Sequence, residues 1–174
     1  MERVRQLYEL YKELIFRYFL RLTGNMEEAG ELTQETFYQA CLSIHRFHHK
    51  SSAKTWLYAI ARNVYLKNLR SKNKDKWLTV ADYSWLERES EESVSDPGEQ
   101  LIIKETRERI AQALLKLPEN ARTVLILKEY EQLNYEEIAE ICGRSVNWAR
   151  VTFFRAKKRL YQVYHDLEGA ERNE

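Results

Sequence analysis

Apolar residues recur along this chain at three- and four-residue spacing, the period of a helix with one buried face. Val4, Leu7, Tyr8, Tyr11, Leu14, Ile15, Tyr18, Phe19 and Leu22 predict a first helix over residues 4–22. Thr23-Gly24-Asn25 ends it, with Gly24 where a left-handed C-terminal residue is favoured. A second helix is predicted over 27–47, opened by Glu27 and Glu28 where the helix dipole favours acids, with Ala29, Leu32, Phe37, Ala40 and Ile44 inward. His48-His49-Lys50-Ser51-Ser52 reads as a polar loop, and Ser52 can cap a third helix over 53–72 with Trp56, Leu57, Ile60, Ala61 and Val64 inside. Three helices with short breaks predict one compact N-terminal bundle.

Residues 75–99 lose that period. They contain the turn signal Asp96-Pro97-Gly98 and read as a tether, part of which Trp77, Tyr83, Trp85 and Leu86 could dock. Helices resume over 100–117, with Ile103, Ile110, Leu114 and Leu117 inward, then from Pro118 to residue 130, over 135–142 and over 145–167. The pattern predicts an all-α protein of two small helical domains, residues 1–74 and 100–174, joined by a linker over 75–99. Five glycines and two prolines in 174 residues leave long stretches free to run as helix.

The net charge of +1 conceals a segregation that changes this picture. Residues 1–74 hold 13 Lys and Arg against 7 Asp and Glu, whereas 75–99 hold 2 against 8, so the linker is acidic. Residues 36–74 carry eight cations and no carboxylate; residues 141–165 carry six and none. Acid-free basic stretches concentrate positive potential of the kind a polyanion uses. Cys41 and Cys142 lie too far apart in sequence to suggest a disulfide framework, and no apolar run reaches the ~18 residues of a membrane span. The N-terminus passes straight into an amphipathic pattern without a signal-peptide core, which predicts a cytoplasmic protein with no direct membrane insertion.

Residues 135–153 have the pattern of a helix-turn-helix. Ile138 and Ala139 sit on its first helix, Gly143 at the turn, and Val146, Ala149 and Phe153 on the inner face of its second. Asn147, Trp148, Arg150, Val151 and Arg155 are then free to face a major groove, with Lys157, Lys158 and Arg159 in phosphate reach. Two surface helices with a basic tail would show the same pattern. The stretch 36–74 adds Phe37, Tyr38, Phe47, Trp56, Tyr58 and Tyr65 to its cations, a mixture suited to unpaired bases stacked on rings; a plain aromatic core with solubilising lysines is the alternative.

Several motifs occur in an order that resembles the small extracytoplasmic-function (ECF, group 4) sigma factors of the sigma-70 family, over residues 7–160. They are Glu31-Leu32-Thr33-Gln34-Glu35-Thr36-Phe37, Thr55-Trp56-Leu57-Tyr58-Ala59-Ile60-Ala61-Arg62-Asn63, Leu117-Pro118-Glu119, Tyr135-Glu136-Glu137-Ile138-Ala139 and Phe154-Arg155-Ala156-Lys157-Lys158-Arg159-Leu160. The resemblance implies a sigma2-like N-terminal bundle and a sigma4-like C-terminal one, working with core RNA polymerase and promoter DNA and held in check by an anti-sigma protein. It implies that Glu31, Leu32, Gln34, Glu35 and Phe37 bind core polymerase. His48, His49, Lys50, Ser51 and a face of the third helix with Lys54, Arg62, Asn63, Lys67 and Arg70 would take the melted −10 element. Arg144, Ser145, Asn147, Trp148, Arg150, Val151, Thr152, Arg155 and Lys158 would take the duplex −35 element. Stress- or envelope-responsive transcription initiation is the implied role.

The chain departs from the family pattern in its last helix, where Asn147-Trp148-Ala149-Arg150-Val151-Thr152 stands for the usual Gly-Thr-Val-Lys-Ser-Arg. Thr152 thus replaces an arginine, Arg144 occupies a usually apolar position, and Glu31 stands where aspartate is common. Cys41, His45, His48 and His49 make an incomplete zinc set, and the acids Glu27, Glu28, Glu31 and Glu35 come without a pocket-building loop. No metal, cofactor, small-molecule substrate or enzymatic activity is therefore expected. The competing readings are a stand-alone helix-turn-helix regulator, which would need no Gln34-Glu35 surface, and a basic module that binds an acidic protein.

Overall fold

A computed structural model describes residues 2–47, 52–72, 83, 86 and 96–171. The expected linker over 75–99 lies almost wholly outside them, as do Trp77 and Trp85. Among the described residues there are seven α-helices: α1 (Glu2–Thr23), α2 (Met26–Ser43), α3 (Ala53–Lys72), α4 (Pro97–Leu115), α5 (Glu119–Glu129), α6 (Tyr135–Cys142) and α7 (Val146–Glu171). None of them is long and apolar enough to cross a membrane.

The first three pack as a bundle whose breaks are locally encoded. Gly24 takes a φ of 65° and returns its amide to the Leu20 carbonyl, and the Asn25 side chain caps α2 by accepting from the Glu28 amide. α2 stops earlier than its apolar spacing predicts. At its end the Ser43 hydroxyl bonds the Gln39 carbonyl, and a single 3-10 turn, Ile44–Arg46, follows. Ser52 then caps α3 through the Thr55 amide. The core of this bundle is aromatic: Tyr18, Phe19, Tyr58 and Tyr65 are buried, with Tyr18 edge-on to Tyr58 at 5.2 Å.

The second bundle has an aliphatic core of Leu114, Val124, Leu125, Ile126, Leu127, Leu133, Ile138 and Ile141. Asp96-Pro97-Gly98 is not the turn that its composition predicts. Asp96 caps α4 through the Glu99 amide, and Pro97 fills the first helical position, where a missing N–H costs nothing. Pro118 likewise stands as the N-cap of α5 rather than inside it. From the segment between the bundles, Leu86 is buried and Tyr83 packs against the core, as expected of docking residues. The two bundles touch: α1 lies against α4 and α5, and α3 lies against α6.

Candidate nucleic-acid interface

The cationic side chains of α3 do not share one face. At about 100° per residue, Lys54 and Asn63 stand on opposite sides of the helix. Lys54, Tyr58, Arg62 and Tyr65 look toward the C-terminal bundle. Arg62 is only 5% exposed and donates to Glu119 at 2.6 Å and to Asn120 Oδ1 at 2.9 Å. Burial works against its charge, but neighbouring Cys142 and Glu119 hold its pKa above the ordinary arginine value. Lys54 Nζ reaches the Glu131 carbonyl at 2.7 Å, and Thr55 Oγ1 bonds Glu137 at 3.2 Å. Glu131, 4% exposed, accepts from the Tyr58 hydroxyl and pairs with Arg21 at 3.5 Å. Burial, then that carboxylate, push the Tyr58 phenol well above its usual pKa, so it stays a donor.

Asn63, Lys67 and Arg70 occupy the other side of α3 and form no ion pair among the described residues. Asn63 and Lys67 line a cleft of about 250 Å³ between α2 and α3, with Glu35, Gln39, Ser43, Ile60 and Val64 as the rest of its wall. Two ties hold the helices in register around it: Asn68 donates to Glu28 at 2.7 Å, and Lys72 pairs with the same carboxylate at 2.7 Å.

In the second bundle α6 and α7 form the helix-turn-helix. Asn134 and Glu137 make a reciprocal capping box at the start of α6. Gly143, left-handed with φ 62°, closes its end and lets the Arg144 amide return to the Ala139 carbonyl. Ser145 Oγ accepts from the Trp148 amide and starts α7. Ala149 and Phe153 face the core, so Asn147, Arg150, Val151, Phe154, Arg155 and Lys158 form an outward stripe at three- and four-residue spacing. Arg150 stands over the Tyr135 ring at 5.5 Å and Arg144 over Trp148 at 5.7 Å. Arg150, Arg155 and Lys158 have no ion pair among the described residues, which leaves their charge available.

A third surface is the outer face of α2. Glu31 and Gln34 are exposed, and Glu35 is half-buried with its carboxylate accepting from Gln39 at 2.8 Å. Tyr38, 58% exposed, and Leu42 continue the same stripe.

Residues 7–75 match Sigma-70 region 2, and residues 107–160 match Sigma-70, region 4. The chain is 34% identical over 158 residues to RNA polymerase sigma factor YlaC of Bacillus subtilis (strain 168), covering 90% of this chain and 89% of that protein. It is 33% identical over 164 residues to ECF RNA polymerase sigma factor SigW of the same organism, covering 91% and 87%. The chain belongs to the ECF sigma factors of the sigma-70 family. As a sigma factor it is a non-enzymatic initiation factor that works with core RNA polymerase on promoter DNA. The fold agrees: the sigma factor RpoE from Bartonella quintana, solved with the anti-sigma factor NepR, superposes with a TM-score of 0.73 at 20% identity, covering 94% of this chain and 97% of that one. CnrH, solved with the cytosolic domain of CnrY, gives 0.68 at 18%, covering 95% and 90%.

Several residues expected at the surfaces of this sigma factor lie elsewhere. Leu32 and Phe37 are buried in the N-terminal core, so they can position Gln34 and Glu35 but not present themselves to polymerase. Lys54 and Arg62 are separated from Asn63, Lys67 and Arg70 by the turn of the helix and engaged by the C-terminal bundle. Tyr58 and Tyr65 are buried, and Phe47 and Trp56 pack on each other at 4.9 Å, so of the six rings expected to stack on bases Tyr38 alone is exposed. Trp148 and Thr152 are half-buried beside the exposed stripe. His48, His49, Lys50 and Ser51 lie outside the described residues. Sequence reasoning missed Phe154, 62% exposed at the centre of the α7 stripe, although its spacing from Asn147, Arg150 and Val151 was a usable signal. It also missed Gln39 and Ser43 in the cleft wall, and Tyr38 and Leu42 on the α2 stripe. Among the described residues no group of His, Cys, Asp and Glu could hold a metal ion.

Proposed function

We propose that this sigma factor grips core polymerase through α2, the −10 element through α3, and the −35 element through α7. The observation that carries this reading is the pairing of two acid-free cationic helix faces on separate bundles with a third, uncharged-to-acidic stripe on α2. Glu31, Gln34 and Glu35, with Tyr38 and Leu42, supply polar contacts and apolar area for the polymerase. Asn63, Lys67 and Arg70 hold the melted strand, and the α2–α3 cleft takes one base flipped from the stack. His48, His49, Lys50 and Ser51 complete that surface in this reading. Asn147, Arg150, Val151 and Phe154 face base edges of the −35 duplex; Arg144, Ser145, Arg155 and Lys158 hold its phosphates, with Trp148 and Thr152 bracing the helix. The protein acts in the cytoplasm, in a stress or envelope response. An anti-sigma protein restrains it, as NepR and CnrY are bound to the two structural neighbours.

The deciding experiment is in vitro transcription with purified core polymerase on a genomic fragment library. Start sites behind a shared promoter pattern are expected. Their absence, together with specific footprints made without polymerase, would reassign the protein as a stand-alone regulator. Within that assay, joint Gln34→Ala and Glu35→Ala substitution should weaken polymerase binding by about 1–2 kcal/mol while leaving the circular-dichroism spectrum intact.

A further inference from the structure

Arg144 is fixed at both ends. Its amide returns to the Ala139 carbonyl at 3.0 Å, just past left-handed Gly143, so the turn of the helix-turn-helix sets its backbone. Its guanidinium stands over the Trp148 ring at 5.7 Å, and that ring is itself anchored, half-buried and packed against the core. Among the described residues Arg144 forms no ion pair, and no second cation stands over Trp148. The Tyr135 ring, by contrast, is shared between Lys128 at 4.6 Å and Arg150 at 5.5 Å. Arg144 also lies beside the N-terminus of α7, where the first-turn amides add positive potential. At about 100° per residue, Trp148, Thr152, Arg155 and Arg159 share one flank of α7. Trp148 and Thr152 carry no charge, so the N-terminal end of that flank has Arg144 as its cation.

We propose that Trp148 is a positioning residue whose ring holds the Arg144 guanidinium ready for a phosphate of the −35 duplex. This rests on the reading of α7 given above. An arginine on an open turn has many rotamers, and ordering it at the moment of binding offsets much of what one phosphate contact gives. An anchored ring beneath the guanidinium removes part of that freedom beforehand. A carboxylate in the same place would also fix the side chain, but it would neutralise the charge and occupy the donors. A neutral ring does neither, so the held cation keeps its full charge and its N–H groups for the DNA. The contact adds affinity for the backbone without sequence information, and it fixes the register at which α7 enters the groove. Trp148 acts through Arg144 and needs no DNA contact of its own.

The test uses the full chain and a short fluorescein-labelled duplex of mixed sequence, read by anisotropy across a salt series, because a phosphate contact needs no particular promoter. Arg144→Ala should lower the slope of log affinity against log salt by about 0.9, the value of one phosphate contact. Trp148→Leu should weaken binding about two- to fivefold, the size of an exposed cation–π contact, and should cost nothing further in the Arg144→Ala background. Trp148→Phe should recover most of that loss. A Trp148 that merely braced the fold would cost the same in both backgrounds, and that additivity overturns the proposal. An unchanged slope in Arg144→Ala, or Trp148→Phe as weak as Trp148→Leu, overturns it too. Arg155→Ala separates this proposal from the reading beneath it. A loss there with an additive Trp148 cycle removes the positioning role alone, whereas Arg155→Ala and Arg144→Ala both at wild-type affinity remove α7 as the duplex surface. Should Trp148→Leu lose its helical signal, Arg144→Lys takes its place. It keeps the charge but not the planar fork, so affinity should fall while the salt slope holds, and wild-type affinity overturns the proposal.

Discussion

The two bundles carry cationic helices of similar composition and present them in opposite ways. On α7 the basic stripe lies outside the packing, and its aim is set by neighbours a few residues away: the Asn134–Glu137 box, Gly143 and Ser145. On α3 the basic residues are divided, with Asn63, Lys67 and Arg70 outward and Lys54 and Arg62 under a bundle some sixty to eighty residues further along the chain. The difference lies in the remote acceptors. Among the described residues no carboxylate from another element reaches the α7 stripe, where Glu129 pairs only with Lys157 beside it, whereas Arg62 of α3 meets the Glu119 carboxylate and Lys54 the Glu131 carbonyl. Charge composition locates a cationic helix, but the remote acceptors packed against it decide which of its cations are free.

The largest expected effect tests whether the bundles are independent. Phe19→Ala, in the aromatic core, should destabilise the N-terminal bundle by about 3–5 kcal/mol in urea unfolding while duplex binding by α7 persists. Parallel loss of both would mean that α7 depends on its neighbour. Next, Arg150→Ala should cost about 1–3 kcal/mol in duplex affinity and flatten discrimination at one base pair, whereas Lys158→Ala should weaken all sequences alike. Equal, sequence-independent losses would demote Arg150 to a phosphate contact. A smaller cost, about 1–2 kcal/mol, is expected for Gly143→Ala in thermal unfolding. A Cβ there meets nothing within 4 Å, so the penalty is that of the left-handed backbone alone. The smallest effect concerns the thiols. Burial pushes Cys142 up to about 11, so it stays a thiol at pH 8, while Cys41 is exposed. A thiol-disulfide reagent should consume Cys41 first, and Cys142 should match its rate only once the protein is unfolded in urea.

What could be read from the sequence follows the same division. The limits of α3 and α6 match expectation because their caps, Ser52, Asn134 and Gly143, lie within a few residues of the ends they fix. The start of α4 was misjudged because Asp-Pro-Gly serves equally as a turn or as a cap followed by a first-turn proline, and only the chain beyond it decides. The end of α2 was misjudged because Ile44 continues the apolar spacing while the backbone has already tightened. In the candidate site, Asn147, Arg150, Val151 and Arg155 were legible from helical period alone. The burial of Tyr58, Arg62 and Tyr65 was not, since all three are covered by residues of another bundle and no local pattern marks the contact.

Arg62 has an awkward consequence for genetics. Its removal would strip Glu119 and Asn120 of their donor across the two bundles, so a promoter screen would register lost stability and score it as lost function. Variants of Glu119 would confound such a screen in the same way, because its carboxylate accepts from the buried Thr123 hydroxyl as well as from Arg62.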